Sequence, residues 1–247
     1  MDLTVAITGA TRGIGRAVAE AFVDEGAFVA VSGRDEDAVD QTVTELNGTG
    51  TADDGDGGDD ETGDDPAGTA WGACVDVCEE SDLERFFTDL ADEAGAVDVV
   101  FANAAVFPGG PGGSPIDGVG YDEFDATMRT NARGVFATAR EAAPHLADGA
   151  RVIVPSGSVA HESKAGMGSY AVSKAAAEAV ARGFAADLDA AVGVVDPGLV
   201  ATDLTGMEKA RAPEDIAPLF VWAATEAPAE DLDGERIGLR EWKTATR

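Results

Sequence analysis

The chain has 247 residues and a formal net charge of −30 at pH 7, with 47 acidic side chains against 17 basic ones. A surface this negative repels phosphates instead of releasing their counterions, so nucleic acid is excluded as a partner. With 45% hydrophobic residues the chain can bury a sizeable core, which excludes disorder of the whole and fits one large α/β domain.

The first apolar run, 3–8, has no basic leader before it and no long hydrophobic span after it, so a cytoplasmic protein without membrane contact is expected. Directly behind it comes Thr8-Gly9-Ala10-Thr11-Arg12-Gly13-Ile14-Gly15. Glycines so spaced let the backbone turn tightly and let a pyrophosphate approach the free N–H groups at the start of a helix. That helix is legible, because Ile14, Ala17, Val18, Ala21 and Phe22 recur at helical spacing. A second strand, 27–32, leads to Arg34, where a dinucleotide fold meets the adenosine ribose. A carboxylate there accepts from the 2′-hydroxyl, whereas arginine accommodates a 2′-phosphate. Arg12 and Arg34 both lie within reach of that phosphate, which favours NADP(H), while Asp35 keeps NAD(H) open.

Segment 47–69 breaks the rhythm. From Asn47 to Gly68 it holds eight acids, seven glycines and no basic residue, and it reads as a solvated, disordered insertion. Asp54-Gly55-Asp56-Gly57 superficially matches a calcium loop, but the glutamate such a loop requires is missing, and no metal is expected. Further strands are predicted at 70–75 and 97–103. Cys74 and Cys78 have neither redox nor zinc spacing and read as small buried thiols. A fifth strand, 151–156, carries Pro155, which cannot donate to a central ladder and so marks where the strand leaves the sheet.

Beyond it, Tyr170 and Lys174 stand at i and i+4 on a helix predicted over 168–187. Its Val172, Ala176, Ala179, Val180, Phe184 and Leu188 predict one buried apolar stripe. An ammonium beside a phenol, with the positive nicotinamide ring nearby, favours phenolate and lowers the tyrosine pKa from its free value of about 10. Strands at 192–195 and 235–239 complete a set of seven, and their alternation with helices predicts a parallel sheet covered on both faces. The two histidines, His145 and His161, lack a ligand partner at metal spacing and read as solvent-facing.

In chain order, Thr8 to Gly15, Asp76-Val77, Ala102-Asn103-Ala104-Ala105, Asn131, Ser158, Tyr170 with Lys174, and Asp196-Pro197-Gly198-Leu199-Val200-Ala201-Thr202 resemble the motifs of the short-chain dehydrogenase/reductase family. The resemblance runs along the chain except the acidic insertion. It implies a single Rossmann-like, doubly wound domain over 1–247 with about seven parallel strands. It further implies a cofactor turn formed by Thr8, Gly9, Thr11, Arg12, Gly13, Ile14 and Gly15, and an adenine contact at Asp76 and Val77. Asn103, Ala104, Pro197, Gly198, Val200 and Thr202 would contact the cofactor as well, with Tyr170 and Lys174 at the nicotinamide ribose.

The implied catalytic set is Asn131, Ser158, Tyr170 and Lys174. Tyr170 is the general acid in reduction, and Ser158 hydrogen-bonds the substrate oxygen. Lys174 holds the ribose hydroxyls and lowers the tyrosine pKa, while Asn131 fixes a water that resupplies the proton. Ser156 rivals Ser158, but Gly157-Ser158-Val159-Ala160 matches the family's phrasing.

The expected activity is therefore NADP(H)-dependent interconversion of a small-molecule carbonyl and a secondary alcohol. A homodimer or homotetramer is expected, joined through the helices carrying Asn131 and Tyr170. The alternative is a catalytically idle dinucleotide-binding regulator or scaffold of the same fold. Two departures motivate it: Ala102 and Ala105 replace the family's usual Asn and Gly, and only 203–212 stand where relatives carry a longer substrate lid. So few residues cannot form two helices, so an open pocket is expected, with the stretch 107–120 as its other wall. A sugar-nucleotide epimerase or dehydratase would need a larger substrate domain. Finally, 28 Asp against four Lys resembles the composition of halophilic proteins, whose short carboxylates hold hydrated cations. The same surface repels itself when salt is withdrawn.

Overall fold

Val5, Ile7, Val29, Val31, Val99 and Phe101 carry almost no exposed surface, as strands covered on both faces must. The structure, a computed structural model, describes residues 1–48 and 68–247. Its strands are β1 (Thr4–Thr8), β2 (Phe28–Gly33), β3 (Thr69–Cys74), β4 (Val97–Phe101), β5 (Leu146–Pro155), β6 (Ala191–Asp196) and β7 (Arg236–Gly238). They form one parallel sheet in the order β3-β2-β1-β4-β5-β6-β7. This is the expected doubly wound, Rossmann-like fold, and the sequence-predicted strands coincide with the observed ones to within two residues, except that β5 starts five residues before the expected 151.

Successive residues of β1 point to opposite sides, Val5 and Ile7 into one core and Ala6 into the other. The first core joins the sheet to α1 (Gly13–Asp24) and α7 (Ala217–Thr225), and Phe101 touches both Phe22 and Phe220. The second joins it to α3 (Glu80–Ala94), α5 (Gly134–Ala142) and α6 (Gly168–Asp187). Strand order reverses between β1 and β4, so the crevice at their carboxyl ends is where a doubly wound sheet takes its ligand.

The acidic insertion and its calcium-loop reading fall outside the described residues, apart from the ends. There the Asn47 amide, in α2 (Glu36–Gly48), donates to Ala70 O at 3.0 Å and accepts from Ala70 N at 2.8 Å. The helix end and the start of β3 are thereby stapled together. Among the described residues no group of three His, Cys, Asp or Glu is placed to hold a metal, and no helix is long and apolar enough to cross a membrane.

Three expectations need correction. Cys78 is buried but Cys74 is exposed at the end of its strand, where its thiol donates to Arg34 O at 3.6 Å. Pro155 stays in register with Val195 instead of leaving the sheet. Alternation turns its missing N–H to the β4 side, and β4 has already ended at Phe101, so no ladder bond is lost. Most instructive is α6. Its apolar stripe is only partly buried, with Val172 40% exposed, while the buried residues include Ser169, Ser173, Lys174 and Glu178. A polar face goes inward because every member finds a partner there, as set out below.

Candidate active site

The glycine turn and the end of β4 are welded by one amide. Asn103 Nδ2 donates to Thr8 O at 3.0 Å and to Gly9 O at 2.9 Å. In return Thr8 Oγ1 accepts from the backbone N–H of Asn103 at 3.1 Å and of Ala104 at 3.3 Å. Gly9 has φ +66°, and a Cβ there would lie 2.8 Å from Ala104 Cα, so only glycine permits both the turn and the approach. Asn103 thus keeps its contact although its neighbours are Ala102 and Ala105. The first turn of α1 contains no acid, in a chain with 47 of them, which leaves its free N–H groups fit for an anion.

Above this turn lies a cleft of about 460 Å³. Gly9, Thr11, Arg12, Gly13 and Ile14 form its floor, and Asn103 and Ala104 its β4 side. Val77 lines the same cleft; Asp76 does not, and its carboxylate accepts from Cys78 N at 2.9 Å. Thr202 closes the far side, 3.3 Å from where a Gly13 side chain would begin. Pro197, Gly198 and Val200 lie on the loop leading to it, which starts with Gly198 N donating to Asp196 Oδ1 at 2.9 Å. The cleft's dimensions and donors suit an extended dinucleotide.

Where β2 ends at the cleft, Arg34 is exposed and held in no ion pair among the described residues, whereas Asp35 Oδ1 accepts from Ala38 N at 3.1 Å and so caps α2. Arg12 stands 4.0 Å from Asp203 across the cleft mouth. Segment 203–212 contains no helix, as expected; two turns fill it, and Ala201 N donating to Arg211 O at 2.7 Å closes its neck.

The polar face of α6 faces the ends of β5 and β6. Ser169 Oγ donates to Thr127 Oγ1 on α4 (Tyr121–Met128), and Ser173 Oγ accepts from Asn131 Nδ2 at 3.0 Å. Lys174 Nζ donates to Pro155 O at 2.9 Å, and Ser156 Oγ donates to Glu178 Oε1 at 2.7 Å. Ser156 is thereby engaged behind the helix, while Ser158, on the short turn Ser158–Ala160, accepts from Lys164 Nζ. Asn131 is fully buried in a π turn, Arg129–Arg133, between α4 and α5. Its amide grips both backbone groups of Val106, each at 2.8 Å.

Among the chain's own residues, nothing raises the acidity of Tyr170. Lys174 Nζ lies 5.8 Å from the Tyr170 ring centroid and points its proton at Pro155 O, so desolvation dominates and burial pushes the phenol up to about 12. Burial likewise pushes the Lys174 ammonium down to about 8, against the opposing pull of Glu178 one turn along. From about pH 8 to about pH 10 the unfolded chain therefore holds one more proton at this lysine than the folded chain, and stability rises with pH by about 1.4 kcal/mol per unit. Urea unfolding of wild type and Lys174→Met in parallel should show wild type gaining on the variant with that slope. Parallel curves would show that the lysine is not depressed.

Sequence reasoning missed Glu178, Arg236 and the part played by Phe107. Glu178 repeats the i, i+4 spacing beyond Lys174, a signal that was available. Arg236 on β7 reaches Glu178 at 3.8 Å, Asp196 at 3.7 Å and the exposed His161 at 2.6 Å, from a distant strand that no local pattern connects. Phe107 stacks on Tyr170 with ring centroids 3.9 Å apart.

Comparison with known proteins identifies the family. Versicolorin reductase stcU of Emericella nidulans is 32% identical, covering 94% of this chain and 92% of its own. A chloroplastic NADPH-dependent aldehyde reductase 2 of Arabidopsis thaliana is 31% identical over 94% and 90%. Among solved structures, an alcohol dehydrogenase from the archaeon Thermococcus sibiricus, complexed with 5-hydroxy-NADP, superposes with a TM-score of 0.79 at 26% identity, over 97% and 96% of the two chains. The short chain dehydrogenase family model matches residues 3–213. On that match and these identities, the chain belongs to the short-chain dehydrogenases, oxidoreductases that interconvert carbonyls and alcohols with a nicotinamide dinucleotide.

Proposed function

We propose that the protein is an NADP(H)-dependent carbonyl reductase and secondary-alcohol dehydrogenase in which Tyr170 is the general acid in reduction and the general base in oxidation. The observation that carries this is the inward polar face of α6, where Lys174 and Ser173 are buried and partnered in the same turns that present Tyr170. When bound, the dinucleotide supplies the hydride in reduction and takes it up in oxidation. The Thr8 to Gly15 turn, Val77, Asn103, Ala104 and Thr202 would hold it along the cleft, with Asp76, Pro197, Gly198 and Val200 supporting the loops beside it.

A phenol at about 12 keeps its proton at neutral pH and yields it to the more basic alkoxide that develops on the substrate. Ser158 donates to the same oxygen. Lys174, still largely cationic at pH 7, stands against the phenolate left behind. Both N–H groups of the Asn131 amide are taken by Val106 and Ser173, so the relay water would be held by an Asn131 oxygen, at the side chain or at the backbone of the π turn.

Arg34 supports the NADP(H) preference, since it is exposed at the ribose corner while the competing Asp35 carboxylate is committed to its helix cap. The NADPH-dependent reductase and the NADP-complexed alcohol dehydrogenase named above point the same way. Arg34→Ala should weaken NADPH binding about tenfold, the worth of one charged phosphate contact, and NADH binding less than about twofold. Fluorescence titration of both cofactors measures this. Phe136 on α5 and Val172 on α6, 44% and 40% exposed, support assembly into dimers or tetramers through those helices.

The test of the whole reading is an absorbance assay of NADPH against NADH oxidation over ketones, aldehydes, acyl thioesters and sugars in high KCl. Faster turnover with NADH overturns the cofactor assignment. Cofactor binding without turnover of any carbonyl leaves a regulator or scaffold.

A further inference from the structure

The inner face of α6 meets the end of β5 through two consecutive residues of the strand. Lys174 Nζ donates to Pro155 O at 2.9 Å, and one helical turn on Glu178 Oε1 accepts from Ser156 Oγ at 2.7 Å. Neighbouring Cα atoms are about 3.8 Å apart, so the ammonium and the carboxylate are docked side by side. Both residues are buried. Their hydrogen bonds go to the strand, and the attraction between the two charges acts across the space between them, where little water is present to screen it.

Glu178 is also held from β7. Arg236 Nη1 lies 3.8 Å from Glu178 Oε1 and 3.7 Å from Asp196 Oδ2, while Asp196 Oδ1 accepts from Gly198 N at the start of the loop to Thr202. The exposed His161 meets the same guanidinium at 2.6 Å. From Lys174 to Asp196 the charges therefore alternate, plus, minus, plus, minus, and the carboxylate of Glu178 is compensated where it lies. The other charged groups against α6 are engaged elsewhere. Arg129 and Arg133 pair with Glu79 and Glu80, Arg151 donates to Ala223 O, and Asp122 and Asp125 on α4 are exposed.

We propose that Glu178 is a positioning residue of the reaction, the charge partner of the Lys174 ammonium, with Ser156 and Arg236 fixing its place. This rests on the reading of Lys174 given above, as the cation that stands against the Tyr170 phenolate. Burial alone drives the lysine towards the neutral amine, and Glu178 opposes it. A neutral amine offers the phenolate no charge, so the carboxylate acts on the proton transfer through Lys174 without touching the substrate.

The experiment follows the titration of the four lysines by ¹³Cε NMR of the whole protein in KCl, with Lys174→Met identifying the Lys174 signal, beside the pH profile of kcat for reduction with NADPH. Glu178→Gln keeps the shape of the side chain and an acceptor for Ser156. It should move the Lys174 midpoint down by about one pH unit, and the alkaline limb of kcat with it. Arg236→Gln takes a positive charge from the same carboxylate and should move the midpoint up by about half a unit. A loosened fold would instead carry the midpoint up in both variants, towards the free-lysine value of about 10.4. An unmoved or raised midpoint in Glu178→Gln, or a lowered one in Arg236→Gln, would overturn the proposal. A midpoint that falls in Glu178→Gln while the alkaline limb stays in place upholds the pairing and removes Lys174 from the proposed mechanism instead.

Discussion

Tyr170→Phe is expected to lower kcat for carbonyl reduction by about three orders of magnitude, within the range of about 10²–10⁴ that a positioned general acid supplies. The substitution keeps the ring, and with it the 3.9 Å stack on Phe107 and the packing of α6; it removes only the hydroxyl. Folding should therefore be unharmed, because a phenol whose burial pushes it up to about 12 contributes no buried charge to lose. NADPH affinity should move by less than about threefold. Stopped-flow single turnovers alongside a cofactor titration separate these quantities. A variant that keeps more than about a tenth of wild-type kcat would remove Tyr170 from the proton transfer.

Gly15→Ala should act through the cofactor turn instead. On propensity alone, alanine in the helix is worth about 1 kcal/mol over glycine. Yet the added methyl would run into Gly9 O and lie 2.5 Å from Asn103 Nδ2, the two atoms whose contact welds β1 to β4. Neither can yield without opening the turn, so overpacking prevails. We expect a net loss of about 1–3 kcal/mol in urea unfolding, and NADPH binding weakened by about a hundredfold or more. Gly183 provides the control. It lies in α6 with nothing within 4 Å of where an added methyl would sit, and Gly183→Ala should stabilise by about 0.5–1 kcal/mol without touching the cofactor. Equal cofactor affinities in the two variants would show that the weld does not govern binding.

What could be read from the sequence follows a physical boundary. The seven strands were legible because a doubly covered parallel sheet writes itself as short, nearly continuous runs of Val, Ile and Phe, such as 97–101. The glycine turn and the placing of Tyr170 and Lys174 on one helix were legible because both depend on spacing within a few residues. The orientation of α6 was not. Its apolar stripe pointed to one face, but Ser173, Lys174 and Glu178 go inward on account of Asn131, Pro155 and Ser156, partners brought by other elements. The Tyr170 proton affinity failed for a related reason: helical spacing brings the ammonium near the ring, but it cannot say that a strand-end carbonyl takes its hydrogen bond. Phe107 and Arg236 were invisible because they meet α6 only through the tertiary fold.

The Asn131 amide has a consequence for how such a protein diversifies. It anchors the root of the stretch after β4 at Val106 and, through Ser173, ties that root to the reactive helix without any help from the residues beyond. Chain exchanged after this anchor can change what enters the pocket while Tyr170, the proposed proton donor, stays in register. Directed evolution for new substrates should therefore draw its beneficial changes from 107–120 and leave position 131 invariant.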